Sequence, residues 1–382
     1  MAPQCHRKNI GSCIFFFIAF AQIWSYGLGD GSRISAKKTI KNDGDAIDCV
    51  EIYKQPAFTH PLLKNHTIQM KPSSFPSGNG VQATNSSKIF QSWFNKIKCP
   101  EGTVPILRTR AFTHRPVSPP IPKRADISEF TPSATYEYAQ VSLTGGTYYG
   151  ACATFNVWVP KVVDPGEVST AQMWIVSGDG ENLNSIEVGW QVQSGSNVTR
   201  FFSFWTRDAY RSTGCYNLEC PGFIQVNPEY VLGFSLQPTS IYGGDQYEMT
   251  VIIHKDNSSG NWWLTFQGQD LGYWPGDLFT SLADSANLIT FGGGQVINNQ
   301  YGGHHTTTEM GSGHYPIEGF GKAAYIGHLQ YVDASNVLRI AYPLLPFITK
   351  TPCYYITMLK DEVSTEGVHL YFGGPGYSDQ CP

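Results

Sequence analysis

The sequence predicts an all-β protein with an antiparallel, jelly-roll-like β-sandwich as its main domain and a smaller N-terminal region. Glycine (39 residues) and proline (24) are abundant, 14% of the 382 residues are aromatic, and only 15% are charged. This balance is typical of a turn-rich β protein rather than a helical bundle. From residue 136 onward, apolar segments alternate with turn residues. They predict strands at Tyr136–Leu143, Tyr148–Val157, Ala171–Ser177, Ser185–Val192, Phe201–Thr206, Tyr247–His254, Trp262–Phe266 and Gly321–Tyr331.

Residues 1–29 have the pattern of a secretory signal peptide. Basic residues at 6–8 precede the apolar run Ile14–Ala21, and polar residues follow it closely. The run is too short to span a bilayer comfortably, because a spanning helix needs about 20 apolar residues. We therefore expect a secreted protein that has no membrane contact once the signal is removed.

The N-terminal region, residues 30–124, differs in composition from the rest of the chain. A polar stretch is followed by a compact segment from about Cys49 to Arg110, in which apolar residues at spacings of three to four predict a short helix near Lys88–Lys98. The linker, residues 115–124, then holds four prolines and three basic residues. Proline prevents this stretch from joining a sheet interior, so it is either a spacer or a protease-accessible maturation site.

Cysteine usage is consistent with an oxidising compartment. Seven cysteines remain after signal removal, an odd number, so at least one is free or pairs between chains. Spacing alone does not prove connectivity, but proximity favours the pairs Cys49–Cys99, Cys215–Cys220 and Cys353–Cys381. Cys152 is left over, and its apolar neighbours predict a buried, unreactive thiol.

Four sequons are candidate glycosylation sites on a secreted surface. Their acceptors are Asn65, Asn85, Asn197 and Asn257. The motif is short and also arises by chance, so each position is only a candidate.

Charge and motif content exclude several function classes. The net charge is −4 and no long basic run occurs, which argues against nucleic acid as a partner. CxxC and HExxH motifs are absent from the sequence, so neither a metal nor another cofactor is expected. The adjacent His304 and His305 would point to opposite faces of a strand, and we interpret them as surface histidines.

Two polar residues stand out because each lies inside an apolar, strand-like segment. Glu187 lies in Ser185–Val192, and Gln295 lies 108 positions later in Phe291–Val296. With the ordered stretches 205–210, 213–223, 310–314 and 372–376, these segments resemble the neprosin family of plant secreted glutamic peptidases. The resemblance covers about residues 48–382.

The resemblance implies a zymogen with a signal peptide at 1–29, an activation peptide with its Pro-rich linker at 30–124, and a catalytic β-sandwich at 125–382. It implies acidic-pH endopeptidase activity, often after proline, on peptide or protein substrates in the apoplast or cell wall. The family uses two catalytic glutamates. Glu187 matches one of them, and Gln295 stands at the position of the other.

The change to Gln295 leaves two interpretations open. A carboxylate can accept a proton from water, and a second group must polarise the carbonyl or protonate the leaving amine. An amide cannot exchange a proton as a carboxyl does, but its N–H can donate to a developing oxyanion. Another family of glutamic peptidases pairs one glutamate with one glutamine. In the first interpretation Glu187 serves as base and then acid, with Gln295 as the electrophile. In the second the site has decayed and the protein is an extracellular binding protein.

Other features are weaker candidates. A glycoside hydrolase also uses paired carboxylates on β scaffolds. Gln295 weakens the glycoside hydrolase hypothesis as much as the peptidase hypothesis, because one of the two carboxylates is replaced by an amide. Glu309 is an alternative partner for Glu187 or an exposed strand residue. Four aromatic residues either line a cleft or pack in the sandwich, namely Trp190, Trp205, Tyr210 and Tyr301.

Overall fold

The computed structural model describes residues 35–42, 44–78, 90–91, 98–108, 136–163, 165–297, 304–360 and 368–382. The strands are β1 Ala36–Asn42, β2 Asp45–Glu51, β3 Phe90–Gln91, β4 Thr103–Leu107, β5 Tyr136–Tyr148, β6 Gly150–Asn156, β7 Val168–Ser177, β8 Asn184–Gln193, β9 Arg200–Thr206, β10 Ile224–Gln225, β11 Leu236–Gln237, β12 Glu248–Lys255, β13 Trp262–Phe266, β14 Gln269–Trp274, β15 Ala286–Ile297, β16 Ala324–Val332, β17 Leu338–Ile340, β18 Leu345–Ile348, β19 Tyr355–Lys360 and β20 Val368–Gly373.

The helices are short 3₁₀ turns, at Ile52–Lys54, Pro56–Thr59, Pro61–Leu63, Gly180–Asn182, Gly276–Leu278, Ser281–Ala283 and Pro316–Glu318. In the described part of the chain, no helix has the length and apolar character needed to cross a membrane. The predicted all-β class is confirmed.

Two large antiparallel sheets form the sandwich. The nine-stranded sheet has the order β10-β14-β13-β12-β6-β16-β20-β19, with β17 also pairing β16, and the six-stranded sheet has the order β18-β5-β15-β7-β8-β9. One buried apolar cluster takes residues from both sheets, including Val188 and Trp190 on β8 and Val251 and Ile253 on β12. Alternate residues of each strand therefore point into a shared core, as in other sandwiches.

The eight strands predicted from residue 136 onward are all present, with boundaries that differ by a few residues. The predicted helix near Lys88–Lys98 is wrong at Phe90–Gln91, because these two residues pair as a strand with Leu236–Gln237. Lys98 is not helical either, and residues 88–89 and 92–97 lie outside the described part. Tertiary pairing has overridden the local periodicity.

The N-terminal segment, meaning the described residues between 35 and 108, has its own three-stranded sheet of order β1-β2-β4. A disulfide joins Cys49 of β2 to Cys99. The other two disulfides are Cys215–Cys220 and Cys353–Cys381, and Cys152 is a buried free thiol. These are the pairs that sequence proximity favoured, with Cys152 left over.

Three of the predicted glycosylation acceptors, Asn65, Asn197 and Asn257, are exposed, as a modified residue must be. Asn85 lies outside the described residues. Whether any of them carries a glycan stays a prediction.

A bulge in β15 sets the position of Gln295. Gly293 pairs with Ala139 of β5, and Gln295 pairs with Tyr138, so one extra residue is inserted on β15 between these pairs. A Cβ at Gly293 would overlap the ring of Phe372 from the opposite sheet, so this close approach requires glycine. Bulges re-aim the strand that carries them and are frequent beside functional sites.

Candidate active site

Glu187 lies in the middle of β8, next to the centre of the six-stranded sheet. Its neighbours in the chain, Ile186 and Val188, belong to the core between the sheets. Since successive side chains of a strand point to opposite faces, Glu187 lies on the outer face of the sheet. There it is paired with Trp174 of β7 and Phe204 of β9, and its side chain is fully buried.

Three side chains hold the Glu187 carboxyl group. The Ser185 hydroxyl donates to Oε1 at 2.9 Å, and the Tyr210 hydroxyl donates to the same oxygen. The Gln172 amide donates to Oε2 at 3.0 Å. Ser185 Oγ and Tyr210 Oη also lie 2.9 Å apart, so the two hydroxyl oxygens and Oε1 lie together around one point of the carboxyl group. Both carboxyl oxygens therefore have partners in a site without exposed surface.

Burial dominates the electrostatics of the site. It raises the pKa of Glu187 to about 7, although the hydrogen bonds from Tyr210, Ser185 and Gln172 act in the opposite direction. Burial and the Glu187 charge also hold the pKa of Tyr210 well above its usual value, so its hydroxyl stays protonated and able to donate. A carboxyl group with this pKa changes its protonation state near neutral pH.

A tight turn after β9 presents Tyr210 to the carboxyl group. Ala209 and Tyr210 both have positive φ, 54° and 64°, which is uncommon for residues with side chains. Asp208 stabilises the turn because its carboxylate accepts hydrogen bonds from the backbone and hydroxyl groups of Ser212 and Thr213. These bonds outweigh burial and lower the pKa of Asp208, so it stays charged.

A second buried cluster of aromatic and aliphatic side chains surrounds the carboxyl group on this outer face. It consists of Trp174, Val176, Leu183, Phe202, Phe204, Tyr210, Tyr216 and Leu288. The rings of Phe204 and Tyr210 stack with centroids 5.9 Å apart, and Tyr216 meets Phe204 edge to face at 5.2 Å. This cluster excludes water from Glu187 and accounts for its raised pKa.

The position of Gln295 relative to Glu187 is described only by strand order and backbone pairing. β7 lies between β8 and β15, and Gln295 is in register with Tyr138 of β5. The Tyr138 phenol is close enough to Glu187 for that charge to contribute, after burial, to its raised pKa. The Gln295 side chain lies outside the described part, so its role stays a prediction.

The weaker candidate residues lie in different parts of the structure. The expectation of an exposed strand residue at Glu309 is wrong, because Glu309 is half-buried and lies outside the strands. Its carboxylate accepts a hydrogen bond from the Lys161 backbone N–H at 2.8 Å. Trp190 and Trp205 belong to the core between the sheets, whereas Tyr210 contacts Glu187. Tyr301 lies outside the described residues.

The surface interpretation of the adjacent histidines is wrong for His305. It is buried, and its Nε2 lies 2.7 Å from Glu137 Oε2, a partner from β5 that sequence neighbours could not reveal. His304 is exposed, as expected. His305 lies close to Cys353 and Cys381, but these two sulfurs are joined to each other in a disulfide and so are not a metal-ligand pair.

Sequence reasoning missed the hydrogen-bonding roles of Gln172, Ser185 and Tyr210. Ser185 is two residues from Glu187, so strand alternation puts both on one face, a signal that was available. Gln172 and Tyr210 come from β7 and from the turn after β9, and their convergence depends on register. From its sequence context, Tyr210 is predicted only to line a cleft or to pack in the sandwich.

Comparison with known families agrees with this geometry. The family model described as Neprosin matches residues 165–375, more than half of the chain, and includes both Glu187 and Gln295. The chain belongs to the neprosin family. A second model, Neprosin activation peptide, matches residues 39–113 and covers most of the N-terminal segment, as expected for a protein made as a zymogen.

Several solved structures are similar at low sequence identity. Scytalido-glutamic peptidase with a peptide-based transition-state analog is 11% identical, with a TM-score of 0.34 over 64% of this chain and 98% of that one. The agglutinin CG-16 from chicken liver is 10% identical, with a TM-score of 0.22 over 41% and 95%. Alginate lyase Aly36B in complex with a trisaccharide is 8% identical, with a TM-score of 0.22 over 62% and 72%.

Proposed function

We propose that this neprosin-family protein is a secreted glutamic endopeptidase that acts at acidic pH and cleaves peptide bonds, with a preference for sites after proline. The observation that carries the proposal is Glu187, a fully buried carboxyl group with three hydrogen-bond donors and a pKa of about 7. Strongly shifted groups of this kind cluster at catalytic sites.

In the proposed reaction Glu187 removes a proton from water as the water oxygen attacks the scissile carbonyl carbon. It then delivers that proton to the departing amine nitrogen as the C–N bond breaks, so no other proton source is required. The Gln295 amide N–H donates to the oxyanion that forms on the carbonyl oxygen. Tyr210, Ser185 and Gln172 are positioning residues that orient the Glu187 carboxyl group.

The acidic optimum belongs, in this proposal, to the site with substrate and water in place. Without them the pKa of Glu187 is raised because the carboxyl group is fully buried. Where substrate and water reach the site, the cost of burying the charge falls, and the pKa moves down toward that of an ordinary glutamate. The ionised base is then available at a lower pH.

The experiment is a cleavage assay of the processed protein on a proline-containing peptide library between about pH 3 and 7, read by mass spectrometry. Glu187→Gln keeps the side-chain volume and removes the base, so we expect a loss of about 10²- to 10⁴-fold in rate. Glu181→Gln is the matched control, because Glu181 is an exposed glutamate paired with Arg211. Cleavage by Glu187→Gln at the wild-type rate would exclude Glu187 as the base.

A second candidate function follows from Gln295. If the amide does not replace the missing carboxyl group, the protein is an extracellular binding protein that keeps the cleft and binds peptides without cleaving them. Gln295→Glu then restores two carboxyls and should create acid-dependent cleavage in a protein that lacked it. Cleavage by the wild type selects the peptidase; binding without turnover, together with a gain of activity in Gln295→Glu, selects the binding protein.

Secretion is also part of the proposal. Three disulfide bonds and exposed asparagines at three sequons support an oxidising, extracellular location. N-terminal sequencing of protein recovered from the medium of expressing cells tests it. An N-terminus near residue 30 or within the linker supports secretion, and retention of intact residues 1–29 inside the cells contradicts it.

A further inference from the structure

We infer that the N-terminal segment stays bound to the sandwich after the linker is cut, so that the processed protein is a two-chain complex. The inference concerns the fate of the segment and holds whether or not Glu187 is catalytic. It rests on how the segment seals one open side of the sandwich, where strands β10 and β9 are the edges of the two sheets.

The first contact replaces a missing strand beside β10. The Gln225 backbone N–H donates to Gln55 Oε1 at 2.8 Å, and Gln55 Nε2 donates to the Gln225 carbonyl at 3.1 Å. Gln55 and Gln225 are each only 1% exposed. Departure of the segment would remove the partner of both backbone groups at an edge that is otherwise buried, and a buried polar group without a partner is unfavourable.

The Gln225 side chain makes a further contact with the segment, at a different residue. Gln225 Nε2 donates to the Pro105 carbonyl of β4 at 3.2 Å. The segment therefore binds this edge from two of its own parts, the turn at Gln55 and strand β4. The Gln225 backbone N–H and carbonyl keep their Gln55 partners only while the segment is in place.

The apolar core of the segment is continuous with that of the sandwich. Six of its residues belong to the buried cluster between the two large sheets, namely Val50, Ala57, Leu63, Ile68, Val104 and Ile106. A smaller cluster joins Ile40, Ile47 and Cys49 of the segment to Val231 beyond β10. Removing the segment would expose this apolar surface to water, which opposes its departure.

Polar contacts extend along the rest of the segment. Asp45 pairs with Arg200 of β9 through two hydrogen bonds, both of 3.0 Å. At the far end, the Asp256 carboxylate accepts from Gln69 Nε2 at 2.5 Å and from the Ser73 N–H at 2.9 Å. These charged, bidentate contacts fix the register of the segment at both ends.

The contacts that remain after a cut are all non-covalent. Of the three disulfides in the structure, one lies within the N-terminal segment and two lie within the sandwich. Co-purification of the two chains under non-reducing conditions would therefore report docking itself. The site is also separate from these contacts, since the groups that bind Glu187 come from residues 172, 185 and 210.

The test cuts the full-length protein at a defined place. Residues 118–121 of the linker are replaced by the recognition sequence of a specific endoprotease, and the purified protein is cut at neutral pH. Denaturing gels verify the cut, and native size-exclusion chromatography with mass detection follows the fragments. We expect both fragments to elute together in equimolar amounts. Elution of the N-terminal fragment apart from the sandwich in native buffer overturns the inference.

Adjacent leucines supply a matched pair of variants. Leu63 is fully buried in the shared cluster, whereas Leu62 beside it is 50% exposed. In the cut protein, Leu63→Ala should raise the dissociation constant of the two fragments at least about thirtyfold, and Leu62→Ala less than about threefold. Circular dichroism of the uncut variants checks folding. Equal dissociation constants for the two folded variants would also contradict docking through the shared core.

This assay separates failure of the inference from failure of the proposed function. The cut is made by an added protease, and the readout is association rather than peptide hydrolysis. An inactive complex of two fragments supports the inference and counts against the peptidase. Elution of an active sandwich without the segment contradicts the inference and supports the peptidase.

Discussion

The Glu187 site and the surface that holds the N-terminal segment both bury polar groups, but in opposite electrostatic situations. At the site, burial raises the pKa of an acid, Glu187, to about 7. Under the segment, burial lowers the pKa of a base, His254, to about 4, where Phe75 of the segment packs edge to face on its ring at 5.1 Å. In both places the environment favours the neutral form.

The difference determines how each region responds to acid. Acidification makes Glu187 neutral and relieves the cost of burying its charge. The same change protonates His254 and introduces a buried charge beneath the segment. The pKa values of His60 and His66, both in the segment, are also lowered chiefly by burial. Acid therefore stabilises the buried Glu187 site and weakens the docking of the segment. Asp256, with a pKa of about 2, stays charged throughout.

The largest expected effect is on the pH dependence of stability at the site. A folded-state pKa of Glu187 raised from 4.5 to about 7 means that stability is lost as pH rises through this interval. Glu187→Gln mimics the neutral acid, and the Gln172 amide can rotate to accept from it. We expect the variant to match the wild type at pH 4 and to exceed it by about 3 kcal/mol above pH 7.

Urea unfolding at several pH values measures this difference. The control is Glu181→Gln, which changes an exposed ion pair and should change the free energy of unfolding by no more than about 1 kcal/mol. An offset for Glu187→Gln that stays constant between pH 4 and pH 8 would show that Glu187 titrates normally and would remove one side of the comparison.

The second effect is at the docking surface and has the opposite sign. The contribution of His254 is fully present above pH 6.5 and is lost as pH falls toward 4, since its folded pKa is lowered to about 4. By pH 5 the loss should reach about 2 kcal/mol. His254→Gln cannot gain a proton, so its unfolding free energy should fall less between pH 7.5 and pH 5. Identical falls in variant and wild type would mean that acid acts elsewhere.

The smallest effect tests the positioning of the carboxyl group. Tyr210→Phe removes one donor to Glu187, so the pKa of Glu187 should rise and stability at pH 8 should fall by about 1 kcal/mol. Tyr216→Phe is the matched control, because Tyr216 lies in the same aromatic cluster but donates to Gln191 at 3.2 Å. If both variants shift the Glu187 titration equally, the effect comes from cluster packing rather than from the Tyr210 hydroxyl.

Much of the fold and part of the site follow from sequence pattern. Alternating apolar residues identify β8 and place Glu187 on the face opposite Ile186 and Val188, because strand periodicity is local. The partners Gln172 and Tyr210 depend on strand register and on a turn with positive φ, which local patterns do not specify.

The errors have the same origin. Phe90 belongs to a run of apolar residues with helical spacing, but pairing with Leu236 and Gln237 makes Phe90 and Gln91 a strand. The sequence predicts an exposed His305, because nothing near it reveals its partner Glu137, which is 168 residues away. In each case a contact distant in sequence decides the outcome.

The most direct test of the central claim is the pKa of Glu187 itself. Carbon-13 NMR of glutamate-labelled, full-length protein follows the side-chain carboxyl signals from pH 3 to 9, and Glu187→Gln assigns the signal of interest. We predict that Glu187 titrates near pH 7, and that its midpoint rises further in Tyr210→Phe. Titration of Glu187 near its ordinary value of 4.5 would contradict the account of a buried, proton-transferring carboxyl group.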